Sequence, residues 1–429
     1  MFSIAMSLFR SLGKKKDRLF FGWWIVLASY VIQVLNGGLL FHAFGAYILP
    51  LQAECGWGRA AVSGVFSMVR AESGILGPLQ GWLIDRYGPR SIMRIGIVLF
   101  GIGYLLFSRI ESLWELYLSF ALIALGSSLG GFIPIAATIT NWFSRQRATA
   151  LGISMTGMGV GGLLIPLVVW SLTNYGWRDT AFFSGLLILL CGLPATQLMR
   201  YSPEAYGLLP DGDSAPATGR DPTPGDEPSF TTRQALRTSS FWLLSIGHSS
   251  ALFVVGTVLV HQIPHMVEHI GISQEHAATN VTLLLVFMIS GQLLGGWIGD
   301  RINKRWVMVG CMWMHAVALL LFAFATTRLE IALFAAIHGS AWGVRGTLIN
   351  AIRADYFGRA SYATISGFAS LIIMVGMTTG PLFAGYLHDL TGGDQQAFMV
   401  LAGLSALGSI ALFLARKPKT PTSEATRAE

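Results

Sequence analysis

Charged residues, cysteines and catalytic clusters are all scarce in this chain. Charged side chains make up only 12% of the 429 residues, and the three cysteines, Cys55, Cys191 and Cys311, form no disulfide framework. Basic residues do not gather with aromatic residues on one soluble face, which argues against nucleic-acid binding. We find no nucleophile–base pair and no metal cluster in the sequence, so we expect neither an enzyme nor a bound cofactor.

One histidine-rich stretch, HQIPHMVEH (261–269), resembles a metal motif and has to be weighed against it. It contains the H-x-x-E-H spacing of certain zinc peptidases. Pro264 is expected to interrupt the helix that such a site requires, and the stretch falls at the end of an apolar block. We therefore predict no metal there and interpret the stretch as an external gate or an interfacial segment.

What the chain has in abundance is apolar sequence. Hydrophobic residues make up 53% of it, and the mean hydropathy is +0.58. They form blocks of about 20 to 30 residues, the length that crosses a hydrocarbon layer of about 30 Å. Only helices of this length satisfy the backbone there, since barrel strands are shorter. The sequence predicts an all-α polytopic membrane protein in a lipid bilayer, with 12 transmembrane helices. The spans fall at 21–50, 60–84, 91–109, 113–138, 148–171, 178–199, 240–264, 274–299, 306–327, 330–353, 362–388 and 396–415.

The distribution of lysine and arginine predicts the orientation. Most of the 29 basic residues fall in segments on the side of both termini, including Arg353 and Arg359 after span 10. Loops on the other side hold only Arg59, Arg109, Arg178 and Arg328. Because cytoplasmic loops carry the excess of positive charge, we expect both termini in the cytoplasm and the chain in the inner (cytoplasmic) membrane.

A polar, proline-rich linker at 200–238 divides the chain into two halves, 20–199 and 239–415. We expect a cytoplasmic segment at 1–19 and a cytoplasmic tail at 416–429. The halves resemble each other, because GWLIDRYGPR (81–90) returns as GWIGDRINKR (296–305) and Pro166 matches Pro381, both at an offset of 215. Matches in the same order predict two six-helix halves in a parallel relation.

The paired motifs resemble the signature loops of the major facilitator superfamily. LPLQAECGWGR (49–59), WFSRQRATALG (142–152) and PEAYGLLPDGD (203–213) resemble the monocarboxylate-porter and oxalate/formate-antiporter group. The resemblance implies the major facilitator fold, function as a monomer, and secondary active transport by alternating access. It also implies that spans 1, 4, 7 and 10 line a central cavity.

The repeated motif also predicts a gate. Asp85 and Asp300 end their helices, where a carboxylate can accept hydrogen bonds from a neighbouring helix N-terminus. Gly81 and Gly296 allow another helix to approach closely. The resemblance implies that such links join the halves on the cytoplasmic side in the outward-facing state. The predicted gate residues are Gly81, Asp85, Arg86, Arg90, Gly296, Asp300, Arg301, Lys304 and Arg305.

Only three charges lie deep inside the predicted spans: Arg70, Glu72 and Arg345. A charge at that depth costs about 2.5–3.5 kcal/mol on insertion scales, so each is a functional candidate. Arg345 shares one helical stripe with His338 and Trp342 at 100° per residue. A guanidinium binds a carboxylate through two parallel donors. We therefore predict a small organic anion, a mono- or dicarboxylate, as the substrate.

Span 1 and span 2 supply the other candidates. Gln33 and Asn36 are polar residues of span 1 that are placed to face the cavity. In SMVRAESGIL (67–76), Arg70 and Glu72 are about 200° apart on the helix, so they are two separate sites. We predict that Arg70 is a second anion contact facing the other half. Glu72 points into its own half, where it either carries a coupling proton or stabilises that half; His338 is the other candidate for the proton.

Two other functions remain open. An exporter of hydrophobic drugs or other metabolites would have the same fold, although GMGVGG (157–162) in span 5 departs from the GPxxGG-like ending of drug exporters. A transporter-like membrane sensor would bind its ligand without turnover. Such sensors usually carry a long cytoplasmic tail, whereas the predicted tail here is short.

Overall fold

A computed structural model of the chain describes residues 20–213 and 230–419. Within these ranges every regular element is a helix and no strand is present, which confirms the predicted fold class. The predicted N-terminal segment 1–19, the middle of the linker at 214–229 and the end of the tail at 420–429 lie outside the described residues.

The first half consists of helices that form six spans. Span 1 is α1 and α2 with a π-helical segment, Asn36–Phe41, between them; span 2 is α3 and α4; span 4 is α6 and α7. Gly176, with φ 78°, divides α9 between the end of span 5 and span 6. The helices are α1 (Gly22–Leu35), α2 (Phe44–Cys55), α3 (Arg59–Ile75), α4 (Gly77–Tyr87), α5 (Pro89–Phe107), α6 (Leu113–Gly130), α7 (Phe132–Trp142), α8 (Arg147–Leu163) and α9 (Ile165–Leu198).

The second half is more regular, because each of its six spans is one helix. A short helix of the linker precedes them, begun by the capping box of Thr231 and Gln234. The helices are α10 (Thr232–Leu236), α11 (Ser239–Glu268), α12 (Gln274–Gly299), α13 (Lys304–Ala323), α14 (Arg328–Phe357), α15 (Tyr362–Thr391) and α16 (Gln395–Leu414).

Prolines mark the starts of three helices, and charged residues lower the hydropathy of two spans. Pro78, Pro89 and Pro166 lie in the first turns of α4, α5 and α9, where a missing N–H costs nothing. Nine segments of the described residues are long and apolar enough to cross a membrane. One of these nine, Arg147–Leu198, contains both span 5 and span 6. Spans 2 and 10 are not among these nine segments, because charged residues within their helices make them less apolar.

Two details of the sequence interpretation are wrong. Pro264 does not interrupt its helix, because α11 continues through it to Glu268. Arg353 is not a loop cation, because it lies inside α14 and is only 4% exposed. Its guanidinium lies within 3.4 Å of the side-chain oxygens of Asn350 and Ser366, which supply polar partners for the buried charge.

Both described ends and the linker lie on one side of the helices, here called the linker face. Phe20 packs against Trp142 at the end of span 4, and Phe230 donates its N–H to the carbonyl of Phe357 at the end of span 10. The Ser240 hydroxyl donates to the Arg416 carbonyl. The halves meet mainly through two helix pairs, α4 with α15 and α8 with α12.

Candidate functional site

A cavity of about 300 Å³ lies between the two halves. Its walls come from spans 1, 2, 4 and 5 of the first half and from α15 of the second. None of the described residues that line it is charged. The lining residues are Gln33, Asn36, Leu40, Phe41, Val69, Ser73, Gly74, Ala124, Ser127, Ser128, Gly131, Phe132, Ile133, Met158, Ser370, Ile373, Met374, Met377 and Thr378.

The predicted residues of span 1, Gln33 and Asn36, are both buried and both line this cavity. Asn36 accepts a 2.6 Å hydrogen bond from the Ser127 hydroxyl and donates to the Ile32 carbonyl at 3.1 Å. Gln33 differs, since its side chain makes no hydrogen bond to any described residue and its Oε1 is buried. An amide left without partners costs free energy unless something else binds it.

Irregular backbone borders the same cavity. The π-helical segment of span 1 begins at Asn36, and span 4 is interrupted at Gly131, which has φ −100° and ψ −130°. A Cβ on Gly131 would overlap the Ser127 carbonyl, so no other residue fits without a shift. Non-helical backbone at membrane depth is tolerated where it lines a cavity.

Arg345 lies outside this cavity, in the interior of the second half. It is 1% exposed, and its Nη1 donates to Nδ1 of His248 on α11 at 2.5 Å. Its Nε and Nη2 are buried and have no hydrogen-bond partner among the described residues. No described carboxylate forms an ion pair with it. The guanidinium is thus a buried cation with two free donors.

The predicted stripe on span 10 is divided among different neighbours. His338 is fully buried, and its Nδ1 lies 3.1 Å from Nδ1 of His315 on α13. Trp342 is partly buried and packs against the apolar core of the second half. The structure therefore places Arg345 towards span 7, His338 towards span 9 and Trp342 against the apolar core of its own half.

His248 contacts Arg345 and is not among the candidates that the sequence analysis names. An arginine can only donate, so His248 must accept at Nδ1 and carry its proton on Nε2. The His248 side chain is half-buried rather than sealed, and its Nε2 is not among the buried atoms without partners. The buried guanidinium of Arg345 thus fixes the tautomer of His248, whose Nε2–H is an accessible donor. The signal in the sequence was a histidine in the middle of span 7, the span that the resemblance places on the cavity.

Arg70 and Glu72, the two charged residues of span 2, lie on α3 at the same depth as residues that line the cavity. Val69, Ser73 and Gly74 line the cavity, whereas Glu72 does not and is half-buried. The Glu72 carboxylate makes no hydrogen bond or ion pair with a described residue, so no partner in span 1 or span 4 is present. Arg70 belongs to α3, and its side chain lies outside what the structure describes.

The two aspartates of the repeated motif link the halves on the linker face. Asp300 accepts the N–H groups of Ala148 and Thr149, at 2.8 and 3.0 Å, from the first turn of α8. Asp85 accepts the N–H and hydroxyl of Thr364, at 2.8 and 2.6 Å, from the first turn of α15. Each carboxylate therefore caps a helix of the opposite half. Burial raises the pKa of Asp300, and the hydrogen bonds from Thr149 and Ala148 oppose that rise.

The glycines of the motif permit this approach. A Cβ on Gly81 would overlap the Ala363 carbonyl, and one on Gly296 would come within 2.9 Å of the Ala148 carbonyl. A larger side chain at either position would separate the helices and lengthen the aspartate links.

The basic residues of the motif have other partners within the described chain. Arg90 donates to Gln197 at 2.9 Å, and Lys304 pairs with Asp355 at 2.7 Å. The guanidinium of Arg301 lies 4.5 Å from the Trp297 ring centroid. Arg86 lies over Trp82 and Tyr87, and Arg305 lies over Trp306. None of these forms an ion pair with Asp85 or Asp300.

The first residue of the histidine-rich stretch, His261, belongs to an acid–base cluster on the face opposite the linker. Asp394 accepts from Nδ1 of His261 at 3.2 Å and from Nδ1 of His388 at 3.0 Å. Burial would raise the pKa of Asp394, but the hydrogen bond and charge of His261, then those of His388, outweigh burial and lower it. The cluster joins spans 7 and 11 to the start of span 12.

Comparison with known proteins gives one family. The model of the Major Facilitator Superfamily matches residues 26–262 and 249–429. Monocarboxylate transporter 13 of Rattus norvegicus is 26% identical over 394 residues, covering 90% of this chain and 87% of its own. The crystal structure of the human organic anion transporter MFSD10 (TETRAN) has a TM-score of 0.67 at 17% identity, covering 91% of this chain and 99% of its own. The proton:xylose symporter XylE has a TM-score of 0.74 at 14% identity, covering 95% and 98%.

Proposed function

Because the chain belongs to the Major Facilitator Superfamily and is a multi-pass membrane protein, we propose that it moves a small organic anion, a mono- or dicarboxylate, by alternating access. The observation that carries the proposal is Arg345, a buried cation with two free donors beside an accessible histidine. A guanidinium kept in a low-dielectric interior without a counter-ion is costly. A substrate carboxylate would supply the missing charge.

The linker-face contacts support the transport cycle. Asp85 and Asp300 cap helices of the opposite halves, so the linker face is closed. We therefore assign access to the cavity to the face opposite the linker. If the linker face is cytoplasmic, as the basic loops indicate, this is the outward-facing state. Rocking of the halves about the cavity would break these links and open the linker face. His248 would present its Nε2–H to the substrate, and Arg345 would bind the carboxylate as the halves move.

Relatives support the same substrate class. The rat relative is named a monocarboxylate transporter and one structural neighbour an organic anion transporter. We extend this to Trp342, Gln33 and Asn36 as pocket residues and to Arg70 as a second anion contact. Glu72 or His338 carries a coupling proton. The protein acts as a monomer in the cytoplasmic membrane with both termini inside.

Uptake into proteoliposomes tests the proposal. Radiolabelled lactate, pyruvate, oxalate and formate are offered with and without an inward proton gradient. At least one should accumulate in a saturable way, and Arg345→Gln should abolish its uptake. Absence of transport for all four, with export of hydrophobic cations, would reject the anion function.

The uncharged cavity favours a second candidate. Its lining contains three methionines, Met158, Met374 and Met377, and the aromatic rings of Phe41 and Phe132. Such flexible, polarisable walls accommodate varied apolar ligands. An exporter of hydrophobic compounds would use this surface without Arg345. Unchanged activity of Arg345→Gln towards such compounds would favour it, whereas saturable ligand binding without any flux would indicate a sensor.

A further inference from the structure

The interruption of span 4 creates an anion-binding position that the sequence did not predict. After Gly131 the chain begins a new helix, α7, whose first residues, Phe132 and Ile133, line the cavity. Span 4 runs from the face opposite the linker towards the linker face. The N-terminus of α7 is therefore directed into the cavity, and its partial positive charge lies there.

The donors at this helix start are free. No side chain caps α7, and the N–H groups of Phe132 and Ile133 have no acceptor within the described chain. Residue 134 is a proline and has no N–H, while the N–H of Ile135 is already bonded to the Gly131 carbonyl at 3.3 Å. Two adjacent backbone donors thus remain for a ligand, in a place that membrane lipid does not reach.

A second observation points to the same ligand position. Gln33 is 2% exposed and lines the same cavity. Its side chain makes no hydrogen bond to a described residue. The Oε1 is buried, whereas the Nε2 is not among the buried atoms without partners, so the donor end of the amide is the end that the cavity reaches. An amide can donate to an anion but, unlike lysine, adds no charge.

The internal repeat strengthens the assignment. At an offset of 214, Gly131 in span 4 corresponds to Arg345 in span 10. One half therefore has a guanidinium at this position, in the unbroken helix α14. The other half has a helix N-terminus, which also favours negative charge.

We propose that a substrate carboxylate is bound in the linker-closed state by the backbone N–H groups of Phe132 and Ile133, with Gln33 as the third donor. This rests on the proposed function and locates its first anion-binding position in the N-terminal half. Arg345 is sealed off in this state, so the start of α7 receives the carboxylate before the halves move. A dicarboxylate could then be bound by both halves at once.

Proline at residue 132 tests the backbone donor directly. Phe132→Pro removes one N–H at the first helical position, where proline is tolerated, and Phe132→Ala removes the ring but keeps the N–H. In proteoliposomes with lactate, pyruvate, oxalate or formate, the half-saturating concentration should rise about tenfold in Phe132→Pro relative to Phe132→Ala. Equal values for the two variants would overturn the assignment.

Gln33 gives a test that leaves the helix intact. Gln33→Glu places a like charge beside the carboxylate and should weaken its binding at least tenfold, whereas the apolar Gln33→Met should weaken it less. Wild-type affinity in Gln33→Glu would overturn the proposal even if Phe132→Pro failed to fold.

The outcomes separate the two levels of inference. If the wild-type protein transports none of the four carboxylates, the proposed function fails and this site fails with it. If transport is present and lost in Arg345→Gln, but the variants at Phe132 and Gln33 behave like wild type, only the site at α7 is wrong.

Discussion

Replacing Asp300 by asparagine should release one of the two links between the halves. The carboxylate accepts two backbone N–H groups from the first turn of α8, at 2.8 and 3.0 Å. A hydrogen bond to a charged group contributes about 1.5–3 kcal/mol. Asparagine keeps one acceptor oxygen and loses the charge, so we expect a loss of about 1.4 kcal/mol, which is tenfold in the equilibrium between linker-closed and linker-open states.

Cysteine labelling measures that equilibrium. Gln292 is 5% exposed, and its carbonyl lies against Gly152 of the other half, so it is covered while the linker face is closed. A Gln292→Cys reporter is introduced after removal of the three native cysteines. Its reaction with a membrane-impermeant maleimide, applied from the linker face, should be about ten times faster in Asp300→Asn, because the labelling rate follows the population of the minor open state.

Asp211 supplies a matched control. Its carboxylate also caps the start of α8, accepting from the N–H groups of Ser144 and Arg145 at 3.1 and 2.8 Å, but it belongs to the linker and not to the opposite half. Asp211→Asn should leave the labelling rate unchanged. A wild-type rate in Asp300→Asn, or an equal rise in both variants, would refute the link between the aspartate and the gate.

Three further outcomes are expected. His248→Asn should raise the half-saturating carboxylate concentration about tenfold, because the donor held by Arg345 is lost; no change in transport assays would exclude substrate contact. Glu72→Gln should remove the pH dependence of uptake if Glu72 carries the proton; unaltered dependence would leave it a structural role. Asp394→Asn should lower the melting temperature at pH 6, because a lowered pKa stabilises the fold above the usual Asp value. That difference should begin to shrink as the pH falls through the usual Asp pKa and should vanish only below the lowered pKa of the folded chain, where the carboxylate is protonated in both states; a difference unchanged by this acidification would contradict the ion-pair explanation.

Much of the fold could be predicted from the sequence, because a bilayer restricts the chain to long apolar helices and repeated motifs reveal the halves. The aspartates of the repeat also marked where one half caps helices of the other. Hydropathy cannot show a break such as Gly131, since the apolar sequence continues across it. The break depends on the backbone conformation at Gly131, where a Cβ would overlap the Ser127 carbonyl, and only the folded chain reveals it.

The candidate site was only partly accessible to sequence reasoning. Helical periodicity placed His338, Trp342 and Arg345 on one stripe, but a stripe about 60° wide meets several neighbouring helices. In the structure His338 faces span 9, Arg345 faces span 7 and Trp342 packs against the apolar core of its half. Arg353 was assigned to a loop because charge near a span end resembles a cytoplasmic cation, whereas polar groups of spans 10 and 11 accommodate it inside the fold.

Charge discrimination is the most direct test of the central claim that this protein carries an organic anion. The measurement compares initial uptake rates of lactate and of lactamide, its uncharged amide of the same size, in proteoliposomes of wild-type protein and of Arg345→Gln. We predict that wild-type protein moves lactate at least ten times faster than lactamide and that Arg345→Gln loses this preference. Equal rates for the two compounds in wild-type protein, or a preference that survives in Arg345→Gln, would contradict the claim.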